Sequence, residues 1–123
     1  MKPLRLLATG LCAGLSLLFN VGCDDDDPDY RPAPGQGALY INNTTASDIQ
    51  VFVNGQRFET VQDFDENAYD LPPGLYRVIL DEQGGDRTYR DDLDIIEGRL
   101  TVLDVAIQPF DDDFDVEVFF RTP

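Results

Sequence analysis

Between Ile49 and Gly55 the chain reads Ile-Gln-Val-Phe-Val-Asn-Gly, and few seven-residue stretches restrict a fold more. Ile49, Val51 and Val53 alternate with Gln50 and Phe52, a period of two that sends successive side chains to opposite faces of a strand. Asn54-Gly55 then closes a two-residue hairpin, because both central residues of such a turn need positive φ. A lone hairpin is marginal in water, so this stretch requires further strands to cover it.

The rest of the chain supplies them. Ala38–Ile41 reads as a short first strand, Arg57–Val61 as the partner returning from the Asn-Gly turn, and Ala68–Leu71 as a strand stopped by Pro72-Pro73-Gly74. Leu75–Asp81 is the strongest strand signal, and Gly84-Gly85 turns it into Thr88–Ile95. Glu97-Gly98 leads into Arg99–Ile107, Pro109 breaks that run, and Asp115–Arg121 closes the domain. No window shows a helical period. Seven or eight short strands at this spacing predict an all-β fold, a small antiparallel β-sandwich. The strands beginning at Leu75 and Arg99 are apolar on both faces, which predicts central positions or a covered second face.

Ahead of this domain, Lys2 and Arg5 precede an apolar run from Leu6 to Phe19, too short to span a bilayer as a helix and matched to a secretory signal. It ends in Val21-Gly22-Cys23, which resembles the lipobox of bacterial lipoproteins. That resemblance implies a diacylglyceryl group on the Cys23 thiol and cleavage before Cys23, leaving a lipid-bearing N-terminus with fatty acyl (palmitate-type) chains. Asn20 departs from the usual residue three places before the cysteine. Cys12 would leave with the signal, so the processed chain keeps one thiol and no internal disulfide. Residues 1–22 are thus expected to be a signal peptide. Residues 23–37, rich in Asp, Pro and Gly, are expected to be a disordered acidic tether, and 38–121 the sandwich.

After Cys23 the chain has seven Arg against 24 Asp and Glu, a net charge of −17, with no His and no Lys. A field of that sign disfavours nucleic acid and anionic head groups, and suits solubility, cation binding or a basic partner. Without His or Lys, and with Ser47 the only Ser after Cys23, no nucleophile–base pair of the usual kind can be assembled. The expectation is therefore a non-catalytic protein with no cofactor. Carboxylates alone could serve a hydrolase, but calcium is the better chemical alternative, since clustered carboxylates supply its oxygen ligands. The cluster Asp111, Asp112, Asp113 and Asp115 is the candidate site. Asp91, Asp92 and Asp94 form another group, and Asp63-x-Asp65-x-Asn67 opens like an EF-type loop but lacks its Gly and Glu. Most of the aromatics, including Phe110, Phe114, Phe119 and Phe120, are expected in the core of so small a domain. Phe119 and Phe120 must point to opposite sides, and whichever is exposed would mark a contact.

Leu71-Pro72-Pro73-Gly74-Leu75-Tyr76-Arg77-Val78, preceded by Val51-Phe52-Val53-Asn54-Gly55 and followed by Glu97-Gly98, resembles the PEGA family of small extracellular β-sandwich modules. The Pro-Glu-Gly-Ala stretch that names the family is replaced by Thr45-Ala46-Ser47-Asp48. The resemblance implies a non-enzymatic domain without catalytic residues. Together these features predict a lipoprotein of the bacterial cell envelope. It would be held to the inner or outer membrane by lipid on Cys23, with a protein partner in the envelope and no nucleic acid. The alternative is a calcium-binding surface protein.

Overall fold

The computed structural model describes residues 29–123; the expected signal, Cys23 and Asp24–Asp27 lie outside the described residues. Eight strands follow in order: β1 Gly37–Asn43, β2 Ile49–Val53, β3 Gln56–Arg57, β4 Glu66–Leu71, β5 Gly74–Glu82, β6 Thr88–Ile95, β7 Leu100–Ile107 and β8 Phe114–Arg121. They form two four-stranded sheets, ordered β4-β1-β7-β8 and β3-β2-β5-β6. The fold is the expected all-β sandwich. Every pairing is antiparallel except β1 with β7, which runs parallel with Ala38 opposite Leu100 and Asn43 opposite Val105.

The hairpin at Asn54-Gly55 forms as its residues require, with φ of 50° and 82°. The return strand is shorter than expected. Only Gln56 and Arg57 pair in register with β2, and Val61 rejoins through a single bridge to Ile49. Beyond that bridge the chain leaves for the other sheet, so a longer β3 would hold it on the wrong layer.

Alternation fills the space between the sheets. Leu39 and Ile41 from β1, Val51 and Val53 from β2, Val78 and Leu80 from β5, and Leu103 and Val105 from β7 are all buried there. Burial of each such side chain contributes ~1.5–3 kcal/mol. The two strands with apolar residues on both faces are indeed central, but their outer faces differ. On β7, Leu100 and Val102 join Ala38 and Tyr40 in a second buried cluster, packed by Tyr30, Ala68 and Phe119. On β5, the outward Leu75 is 65% exposed and Ile79 is half-buried, so nothing comparable covers that sheet.

The cover on β7 comes from the segment read as tether. The Tyr30 hydroxyl donates to Asp70 Oδ1 at 2.7 Å, and the Ala33 N–H donates to Asp70 Oδ2 at 3.2 Å. Gln36 N–H donates to Ala33 O, and Gly98 N–H to Gln36 O, at 3.0 and 2.9 Å. Residues 30–36 thus form a strap across the outside of the β1/β7 sheet. Beneath it, Tyr40 donates its hydroxyl to Glu66.

Candidate functional site

Strand direction sorts the loops into two groups. β1 and β7 run the same way and finish at one end of the sandwich, where β2, β4, β6 and β8 begin. Loops 44–48, 62–65, 83–87 and 108–113 therefore share this end, while the strap, the Asn54-Gly55 turn, Pro72-Pro73 and loop 96–99 lie at the other. We call the first end the tip.

Asn43, the last residue of β1, organises the tip. It is 1% exposed. Its Nδ2 donates to Ser47 O at 2.8 Å and Gln62 O at 3.0 Å, and its Oδ1 accepts from the Thr45 N–H at 3.0 Å and the Thr45 hydroxyl at 2.7 Å. One amide thereby holds loop 44–48 to loop 62–65. Backbone bonds extend the lattice: Phe64 N–H to Thr45 O at 3.0 Å, Thr44 N–H to Val105 O at 3.0 Å, and Gln83 N–H to Asp48 O at 2.9 Å. Glu82 closes it, accepting from the Ser47 hydroxyl at 2.7 Å and from the Arg87 N–H at 3.2 Å. These bonds, with the Arg87 guanidinium 3.6 Å away, hold the Glu82 carboxyl below its ordinary range.

The tip is strongly acidic. Asp48, Asp63, Asp65, Asp86, Asp111, Asp112 and Asp113 lie in its four loops, with Arg87 as their one cation. Glu82, Gly85, Asp86, Arg87, Asp111 and Asp112 line an open cleft of about 340 Å³ there. The expected calcium residues are not gathered into a cage. Asp111 and Asp112 face this cleft, whereas Asp115 sits on β8 and accepts from Gln108 Nε2 at 2.8 Å. Among the described residues, no three acidic side chains group as they would around a metal ion. Asp91, Asp92 and Asp94 lie on the edge strand β6, where alternation spreads them over both faces and Asp92 pairs with Arg77 at 2.9 Å. Charge along such an edge discourages pairing with another sheet.

The aromatics divide in a way their residue type does not disclose. Phe114 is buried and Phe119 packs on the outer cluster. Phe120 is the exposed member of its pair, at 47%. Phe64 and Phe110, both at the tip, are 68% and 106% exposed. Both also take positive φ, 55° and 70°, where bulky side chains are rare.

The fold and site define a β-sandwich domain with an acidic, aromatic-bearing loop end and a strapped outer face. No protein-family model matches the chain. No curated protein matches it either. Among solved structures, the N-terminal domain of AlgF from P. aeruginosa is similar, with a TM-score of 0.48 and 19% identity, covering 70% of this chain and 96% of that one.

Proposed function

We propose that the chain is a lipid-anchored protein of the bacterial cell envelope whose β-sandwich serves as a non-catalytic interaction or structural module. The observation that carries this is the boundary at Val21-Gly22-Cys23, an apolar run and a lone cysteine followed by an acidic segment and an all-β domain. Acylation would cap the single thiol, and two or more acyl chains bind a membrane stably where one does not. The strap is consistent with this arrangement, because its bonds to Asp70 and Gly98 lie at the end of the sandwich remote from the tip. Absence of His, Lys and a second thiol after Cys23 supports a non-catalytic role. The turn-and-strand likeness to PEGA modules points the same way.

Cys23→Ala tests the anchor. The variant is expected to move from the membrane fraction to the soluble fraction, and mass spectrometry of the unsubstituted protein is expected to show an N-terminal acylated Cys23. An unacylated mature N-terminus, or membrane association unchanged by the substitution, would refute it.

A further inference from the structure

We propose that Phe64 and Phe110 are paired anchors for a basic protein partner that docks on the tip of the sandwich. Both rings are largely exposed on a backbone conformation that bulky side chains seldom adopt. Their loops belong to one end of the molecule and are tied to it independently. Phe64 N–H bonds to Thr45 O, and loop 108–113 continues β7, to which Thr44 is bonded at Val105 O. Two projecting aromatics on a braced platform are the form of hot spot that fills recesses on a partner.

The sign of the partner follows from the surroundings of the rings. Asp63 and Asp65 flank Phe64, Asp111 follows Phe110, and Arg87 is already occupied by Glu82. An acidic partner or an anionic lipid surface would meet like charge here, while a protein surface carrying Arg or Lys around apolar recesses would be complementary. A second copy of this chain would bring the same acidic tip, or a sandwich of the same negative sign.

The inference deepens the proposed interaction module and rests on it, and the experiment separates the two. A photo-crosslinking benzoylphenylalanine is placed in the full chain at position 64, at 110 or at 75, and irradiated in native envelopes. Leu75 is an exposed apolar residue at the opposite end. The expected result is one discrete adduct, the same from positions 64 and 110 and absent from 75, identified by mass spectrometry as a protein of pI above about 8. Asp111→Asn/Asp112→Asn/Asp113→Asn is expected to weaken that adduct by about fivefold or more. Adducts from position 75 alone would keep the module and overturn the tip. An adduct to lipid, to an acidic protein or to a second copy, or none from 64 and 110 in folded protein, would likewise overturn it.

Discussion

Asn43→Ala is the substitution by which the tip is most sharply tested. Removing the amide leaves the Thr45 N–H and Gln62 O without their partners, and the Thr45 hydroxyl turns to Ser47 O, 3.1 Å away. One or two polar groups stranded beneath a covered surface lose about 1–3 kcal/mol each, so the variant is expected to be destabilised by about 2–4 kcal/mol. With a urea slope near ~1.5 kcal/mol/M, the midpoint falls by about 2 M. Far-UV circular dichroism and tyrosine fluorescence report it, since the chain has five Tyr and no Trp. Asn43→Asp separates hydrogen bonding from packing. The carboxylate keeps the acceptor but points its second oxygen at Ser47 O and Gln62 O, which disfavours the charged form and raises its pKa above the unfolded ~3.9. A group raised on folding contributes fully below its unfolded pKa and loses that contribution as pH rises through the folded one. The deficit against unsubstituted protein should therefore be larger at pH 7 than at pH 4. An Asn43→Ala stability within about 0.5 kcal/mol of the original, or an Asn43→Asp deficit equal at both pH values, would refute the assignment of Asn43 as the organiser of the tip.

Two further outcomes concern the other end. The Tyr30 hydroxyl is pushed up to about 12 by its hydrogen bond to Asp70, by burial and by the Asp70 charge. Its contribution to the strap is therefore complete below pH ~10 and is lost as pH rises through about 12. Phenolate absorbance should show this late titration move to lower pH in Asp70→Asn, and Tyr30→Phe should speed amide exchange across residues 31–36 at a stability loss of at most ~1 kcal/mol. Gly37→Ala would place a Cβ against Ile96 O and, at 2.8 Å, Ile95 Cγ2. Because the first of these is backbone, a loss of about 1–3 kcal/mol is expected, a drop of roughly 10 °C in a thermal melt; an unchanged melt would show that the 96–99 turn yields freely.

Local pattern disclosed most of the fold because each strand's signal is carried by its own residues. Thr88–Ile95 was legible to the residue, and Leu75–Asp81 and Asp115–Arg121 each to within a residue, since alternation and turn chemistry act over four to nine positions. What escaped depends on partners remote in sequence. The parallel pairing of β1 with β7 joins Ala38 to Leu100, and nothing near either residue specifies it. The strap escaped because a single Tyr among Pro, Asp and Gly has no periodicity, and it packs only against a surface built by β1, β4 and β7. Asn43 reads as a turn former in Asn-Asn-Thr-Thr, and only the arrival of loop 62–65 buries it. The exposure of Phe64 and Phe110 runs against residue type, and sites where local preference and structure disagree are where function concentrates. Cys23, by contrast, was singled out by sequence alone and lies outside the described residues.

The two outer faces show how the halves of the molecule depend on each other. Both sheets carry a central strand apolar on both sides, so both would expose hydrophobic surface if left bare. On β5 the outer apolar residues are interrupted by Arg77, paired with Asp92, and by the charged edge β6, which keeps the exposed Leu75 and half-buried Ile79 apart. On β7 no such charge intervenes between Leu100 and Val102, and a strap is needed. That strap opens the described part of the chain, on the side of the expected anchor in sequence. Tyr30 and Ala33, both bonded to Asp70, hold that cover in place. A substitution that frees Tyr30 should therefore expose the Ala38–Tyr40–Leu100–Val102 surface, read as faster amide exchange along the outer face of β1 and β7.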